Sequence, residues 1–69
     1  MNNLKVRREE LNLTQKQVAE LSGIGLRLYQ YYEKDEKEPS VRTAQKIADV
    51  LGVTVGELYG ITIKSTTSD

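Results

Sequence analysis

The 69-residue sequence contains no cysteine and no histidine. Without cysteine, neither a disulfide nor a thiolate metal site can form. Without histidine, the commonest general base and the commonest zinc ligand are both missing. The sequence also shows no clustered pair of carboxylates that would suit acid–base catalysis. We therefore predict that the protein is not an enzyme and that it uses no cofactor and no metal.

Long apolar stretches are missing as well. No run approaches the roughly 20 apolar residues that are needed to cross a bilayer. The N-terminal segment MNNLKVRREE becomes charged at once and lacks the apolar region of a signal peptide. We expect no membrane association and a cytoplasmic location. A chain this short makes one domain with a thin core, which association with a second copy would stabilise.

The formal net charge is zero, so the bulk basic excess that often marks a nucleic-acid binder is missing. The distribution is weakly polar, with a positive balance in the first half of the chain and a negative balance in the second. Charge alone therefore does not indicate a partner, and the prediction of function depends on motifs.

Capping signals and apolar spacing predict five short helices. Thr14 with Gln17, and Thr54 with Glu57, have the spacing of capping boxes, and Ser40 is a suitable N-cap after Pro39. Glycines at 23, 52 and 60 would end helices. The predicted helices span about Asn3–Leu11, Gln15–Ser22, Gly25 or Leu26 to Lys34, Val41–Leu51 and Val55–Tyr59. The remaining tail is either a short C-terminal strand or disordered.

The second and third predicted helices have the spacing of a helix-turn-helix. Ala19 is small enough to let the two helices approach closely, Gly23 suits the turn, and Ile24 would fill the corner. The predicted core contacts of the pair are Val18, Leu21, Tyr29 and Tyr32. In such a unit the second helix projects and fits the major groove of DNA.

Several short segments together resemble the lambda-repressor-like helix-turn-helix family, which is also called the Cro/C1-type or XRE family. They are LKVRRE at 4–9, LTQKQVA at 13–19, GI at 23–24, YE at 32–33, PS at 39–40, IADVLGVT at 47–54 and EL at 57–58. The resemblance covers about residues 3–60. It implies an all-α bundle of five helices, with a DNA-binding domain over 1–60 and a tail over 61–69.

The resemblance also assigns roles to residues. Arg8 and Glu33 match a partly buried salt bridge, and Gln15 matches a residue that contacts a phosphate and supports a side chain on the third helix. The positions that match base contacts are Leu26, Arg27, Gln30 and Tyr31, of which Arg27 suits guanine and Gln30 suits adenine. The positions expected at the DNA backbone are Thr14, Gln15, Lys16, Lys34, Lys37 and Arg42.

The chain also departs from the family pattern. Gly25 and Leu26 stand where a polar residue commonly begins the third helix, and the loop KDEKE at 34–38 lacks the usual glycine. Asp35 can adopt the left-handed conformation, although less readily than glycine. Carboxylates in this loop would repel phosphates, so we expect few phosphate contacts.

Two functions remain open at this stage. The first is a sequence-specific DNA-binding transcriptional regulator, most simply a repressor, that binds an inverted repeat in double-stranded DNA as a homodimer. Its dimer surface would include Leu58, Tyr59, Ile61 and Ile63, unless Leu58 is core and the others belong to a frayed end. The second is an antitoxin-like or adaptor module whose main partner is another protein.

Overall fold

The computed structural model describes residues 2–59, and these form five α-helices. Their bounds are α1 Leu4–Glu10, α2 Gln15–Ser22, α3 Leu26–Glu33, α4 Val41–Leu51 and α5 Val55–Tyr59. The all-α prediction is confirmed. The bounds of α2, α4 and α5 match those predicted, whereas α1 is shorter by one residue at each end and α3 ends one residue earlier. The tail over 61–69, expected to be either a short strand or disordered, lies outside the described residues.

The helix starts follow from side-chain caps. The Thr14 hydroxyl accepts a hydrogen bond from the Gln17 backbone N–H at 3.0 Å, and the Gln17 side chain accepts one from the Thr14 N–H at 2.8 Å. Thr54 and Glu57 repeat this reciprocal pair at 3.1 and 2.8 Å. Ser40 accepts from the backbone N–H of Thr43. Each cap satisfies backbone donors that the first turn of a helix leaves unpaired.

The turn between α2 and α3 is made by a glycine in the left-handed conformation. Gly23 has φ 74° and donates its backbone N–H to the Glu20 carbonyl oxygen. Ile24 then donates to the Ala19 carbonyl at 3.0 Å, which closes the end of the helix. Because the turn uses only Gly23, Ile24 and Gly25, α3 begins at once and packs back against α2.

One apolar core lies between the five helices. Its buried members are Leu4, Val18, Ala19, Tyr29, Tyr32, Ile47, Ala48, Leu51 and Leu58. The prediction that Leu21 belongs to it is wrong, since Leu21 is 65 % exposed. The inward stripe of α2 is formed by Val18, Ala19 and Ser22. Leu21 falls to the side of this stripe because each residue advances an α-helix by roughly 100°.

Asn2, just before α1, makes hydrogen bonds to the C-terminal end of α3. Asn2 donates its side-chain amide to the Tyr32 carbonyl at 2.8 Å and to the Asp35 carboxylate at 2.7 Å. Its own side-chain oxygen accepts from the Leu4 backbone N–H, so it also satisfies a backbone donor at the start of α1. As a result, α3 is fixed by α2 along one side and by the start of α1 at its C-terminal end. Over residues 2–59, no helix combines the length and the apolar character needed to cross a bilayer.

Candidate nucleic-acid interface

One face of α3 is buried and the other is open to solvent. Tyr29 and Tyr32 point into the core, whereas Leu26 and Arg27 are exposed and Gln30 and Tyr31 are half-buried. The four positions predicted to contact bases therefore share the side of α3 that the core leaves uncovered. Gly25 precedes the helix in an extended conformation and supplies no side-chain cap. The first turn of α3 therefore begins without a side-chain oxygen bonded to its backbone N–H groups.

A buried ion pair ties α1 to the end of α3. The Arg8 Nε lies 2.6 Å from Glu33 Oε2, and its Nη2 lies 3.4 Å from Glu33 Oε1. The Arg8 side chain is only 11 % exposed and the Glu33 side chain 5 % exposed. Arg8 also donates through Nη1 to the Leu13 carbonyl at 2.9 Å. Its guanidinium group therefore links α1, the α1–α2 corner and α3. The geometry is the one that the resemblance implied for these two residues.

Two glutamines extend this ion pair to the open face of α3. Gln15 donates its Nε2 to Glu33 Oε1 at 2.9 Å. Gln30 in turn donates its Nε2 to the Gln15 side-chain oxygen at 3.1 Å. A continuous chain of hydrogen bonds thus runs from Arg8 through Glu33 and Gln15 to Gln30, and we name these four residues the polar relay. The step from Gln15 to Glu33 was not predicted, because the resemblance gave Gln15 only as support for an unspecified side chain on the third helix.

The protonation state of Glu33 follows from its partners. Burial opposes the charged form, but the hydrogen bonds from Arg8 and Gln15 outweigh it and lower the pKa of this carboxyl below its usual value. Burial also raises the pKa of the nearby Tyr29 hydroxyl well above its usual range, and the adjacent Glu33 carboxylate adds to this rise. The Tyr29 hydroxyl lies close to the ion pair without a hydrogen bond of normal geometry to either partner. At neutral pH the relay therefore contains an ionised Glu33 carboxylate, and the neighbouring Tyr29 phenol is neutral.

The residues predicted at the DNA backbone lie on several elements. Thr14 uses its hydroxyl as the α2 cap, and Lys16 is exposed in the first turn of that helix. Lys37 lies over the Tyr31 ring, 5.0 Å from the ring centroid, which joins the loop to the open face of α3. Lys34 and Arg42 are exposed at the two ends of the α3–α4 connection.

Carboxylates surround the cations of this connection. Asp35, Glu36 and Glu38 are all exposed, and Asp35 has φ 60°, the left-handed conformation that its position was expected to need. Asp35 also accepts from the Asn2 side chain, so part of its charge faces a donor on the protein. The mixture of signs leaves the α3–α4 connection without a uniformly positive surface.

The family assignment comes from comparison with known proteins. A family model described as helix-turn-helix matches residues 4–58, which is most of the chain. The chain belongs to this family. The resemblance to Cro/C1-type helix-turn-helix domains is thereby confirmed.

Two curated relatives carry the same printed name, the cryptic phage CTXphi transcriptional repressor RstR. One, from Vibrio cholerae serotype O1 strain ATCC 39315, is 42 % identical over 53 residues, which cover 77 % of this chain and 47 % of the relative. The other, from Vibrio cholerae, is 39 % identical over 51 residues, which cover 74 % of this chain and 46 % of the relative. The chain thus spans about half the length of the curated relatives it matches.

In this helix-turn-helix domain the residues predicted at a dimer surface differ in how far they are buried. Leu58 is 1 % exposed and belongs to the core of the single chain, so its assignment to a dimer contact is corrected. A side chain with almost no accessible surface offers nothing for a second copy to contact while the domain stays folded. Tyr59 is half-buried, and its burial raises the pKa of its hydroxyl to about 12. Ile61 and Ile63 lie outside the described residues.

Two residues that connect distant elements of the fold were not identified from the sequence. Arg7 donates through Nε to the Leu51 carbonyl at 2.9 Å and pairs with Glu10 at 3.3 Å. Asn2 joins the start of α1 to the end of α3. The capping motif of Asn2 is recognisable only from its spacing to Leu4, and nothing local in the sequence indicates either long-range contact.

Proposed function

We propose that the protein is a sequence-specific DNA-binding transcriptional regulator, acting as a repressor, that places α3 in the major groove. The observation that carries the proposal is the open face of α3, where Arg27 and Gln30 project from a helix held by a buried ion pair. A rigid helix that presents side chains able to form two hydrogen bonds with a base suits direct readout in the major groove. Membership of the helix-turn-helix family and the printed names of two relatives support this choice.

The regulator would bind an inverted-repeat operator as a homodimer. A single α3 reads only a few base pairs, and two copies related by a two-fold axis double the number that is read. The expected phosphate contacts come from the start of α2 and from Lys34, Lys37 and Arg42. Because carboxylates accompany these cations, we expect a shallow dependence of affinity on salt.

Selection from a random DNA duplex pool at low salt tests the proposal. Wild type should enrich an inverted repeat with half-sites about one helical turn, or about 10 base pairs, apart. Arg27→Ala should lose that enrichment, because it removes a base contact while leaving the core untouched. Lys46→Ala is the matched control, since Lys46 is an exposed cation on α4 outside the proposed contacts; this variant should still enrich the repeat.

Two outcomes would contradict the proposal. If folded wild type enriches no motif, or if Arg27→Ala enriches the same motif as wild type, α3 does not read DNA. Folding of each variant would be checked by circular dichroism, and self-association by analytical ultracentrifugation. The slope of log affinity against log salt then counts the phosphates that are neutralised.

A second candidate is an antitoxin-like or adaptor module that binds another protein. The exposed carboxylates Asp35, Glu36 and Glu38 beside α3, together with the zero net charge, favour this alternative. Arg27→Ala separates the two functions, because it should abolish DNA binding and leave binding to a protein partner nearly intact.

A further inference from the structure

Gln30 lies on the open face of α3, and one N–H of its side-chain amide is already hydrogen-bonded within the protein. Its Nε2 donates to Gln15, whose own Nε2 donates to Glu33. An ionised carboxylate can only accept hydrogen bonds, whereas a glutamine amide has an accepting end and a donating end. The direction of every hydrogen bond in the relay therefore depends on the charge at Glu33.

This direction can be followed from the carboxylate outward. Gln15 must turn its NH2 group toward Glu33, so its carbonyl oxygen faces Gln30. Gln30 must then turn its own NH2 group toward that oxygen. If Glu33 could also donate, Gln15 could be reversed, and Gln30 would no longer be held in one orientation. The ion pair with Arg8 keeps Glu33 in the accepting form.

One hydrogen bond to Gln15 leaves the carbonyl oxygen and the second N–H of Gln30 outside the relay. Adenine offers one donor and one acceptor in the major groove, which these two groups match. Guanine offers two acceptors at the corresponding edge, so the Gln30 carbonyl would face an acceptor. An amide held in a single direction discriminates between these bases more strongly than an amide that can be reversed.

We propose that Glu33 is a positioning residue for base readout: through Gln15 it sets the direction of the Gln30 amide and so gives this side chain a preference for adenine over guanine. The proposal rests on the proposed DNA-binding function. The Glu33 side chain is only 5 % exposed, so it would act through Gln15 rather than by contacting a base. Its role in specificity is distinct from its role in holding α1 to α3.

The first test examines the free protein, so it does not depend on DNA binding. In wild type, NMR should show the side-chain NH2 groups of Gln15 and Gln30 as hydrogen-bonded, with slow rotation and protection from exchange. Gln15→Met leaves the Arg8–Glu33 pair in place and removes the link, so the Gln30 NH2 group should then resemble that of an exposed glutamine. An unchanged Gln30 signal in Gln15→Met would overturn the relay.

The second test measures specificity at a single base pair of the selected site. That pair is identified as the one whose preference is lost in Gln30→Ala. In wild type, a duplex with adenine there should bind more tightly than the matched duplex with guanine. Both Gln15→Met and Glu33→Gln should reduce this ratio by about tenfold, the scale of one well-placed pair of base contacts. Using a ratio cancels any uniform change in affinity that comes from phosphate contacts.

Glu20→Gln is the control, because it removes the same charge from an exposed position of α2 and should leave the ratio unchanged. If either folded Glu33→Gln or folded Gln15→Met keeps the wild-type ratio, the proposal fails although DNA binding stands. If Glu33→Gln does not fold, Gln15→Met alone decides. If wild type selects no site, the proposed function fails, and the NMR result still decides whether the relay exists.

Discussion

The corner before α2 and the corner before α5 share one sequence pattern, but the arginine that binds each corner is buried to a different degree. Residues 11–18 read LNLTQKQV and residues 51–58 read LGVTVGEL. Each begins with leucine, continues with a residue at positive φ, and then has an apolar residue and a threonine cap whose partner lies three positions later. Asn12 has φ 59° and Gly52 has φ 70°, so the two backbones turn in the same way.

Adjacent arginines of α1 brace the two corners. Arg8 donates to the Leu13 carbonyl in the first corner, and Arg7 donates to the Leu51 carbonyl in the second, both at 2.9 Å. Arg8 is buried against Glu33, whereas the Arg7 side chain is 33 % exposed and pairs with an exposed Glu10. One local motif is thus held by a buried charge in the first corner and by a partly exposed one in the second. We expect burial to decide how much each arginine contributes to stability.

The largest expected difference between the corners is in the unfolding free energy that is lost when the arginine of each corner is replaced. Arg8→Ala should lower the free energy of unfolding by about 3 kcal/mol or more, because it leaves the Glu33 carboxylate buried without its partner. Arg7→Ala should lower it by only about 1 kcal/mol, the usual scale of a single hydrogen bond in a partly solvated site. Urea denaturation followed by circular dichroism measures both values. Equal losses would mean that burial does not distinguish the two braces.

The next difference concerns the residues at positive φ. Gly52→Ala should cost about 1 kcal/mol of unfolding free energy, because an ordinary side chain is strained in the left-handed conformation. No clash adds to this cost, since a Cβ at that position would lie 3.6 Å from Arg7 Nη2, an ordinary contact. Gly52→Asn should cost less, since asparagine already occupies the equivalent position in the first corner.

Gly25→Ala provides the control for this comparison. Gly25 has φ −72°, and a Cβ there would meet nothing within 4 Å. The alanine should therefore be tolerated with little change in thermal midpoint. If Gly52→Asn is as damaging as Gly52→Ala, the two corners are not interchangeable at this position.

The smallest expected difference is in the response to acid. Hydrogen bonds from Thr54 lower the pKa of Glu57 below its usual value, whereas Gln17 in the first corner does not titrate. A carboxyl with a lowered pKa in the folded state stabilises the fold above its unfolded pKa, and this contribution is lost as pH falls through the folded pKa. Glu57→Gln should therefore remove a small part of the acid sensitivity, measured as unfolding free energy between neutral pH and pH 3.

Glu33 supplies the internal reference for that experiment. Its pKa is also lowered, so the variant should keep the share of acid sensitivity that comes from the buried ion pair. An acid profile identical to that of wild type would mean that the Thr54–Glu57 box contributes nothing that depends on charge.

The local sequence predicts much of the secondary structure because helix ends depend on neighbouring residues. Thr14, Ser40 and Thr54 cap helices with partners three positions away, and Gly23 and Gly52 end helices through their own backbone conformation. Leu21 shows where this reasoning stops. Its hydrophobicity favoured the core, but the orientation of α2 against α3 and α4 left it exposed.

The site was predictable only in part. The resemblance to a known family placed Arg8 opposite Glu33 and Gln15 near the third helix, and it indicated the open positions Arg27 and Gln30. It did not indicate that Gln15 binds Glu33. That hydrogen bond depends on how the start of α2 packs against the end of α3, which brings Gln15 Nε2 to 2.9 Å from Glu33 Oε1.

In this protein, residues close together in the chain place the helices and shape both corners, since caps and turns depend on contacts within a few residues. The type of domain was indicated instead by the resemblance to a known family. The packing of the helices decided that Leu21 faces water and that Arg7 reaches the Leu51 carbonyl. It also decided how a carboxylate at the end of α3 reaches the amide on its open face. These features depend on the directions in which packed helices bring distant side chains together, and no local pattern specifies those directions.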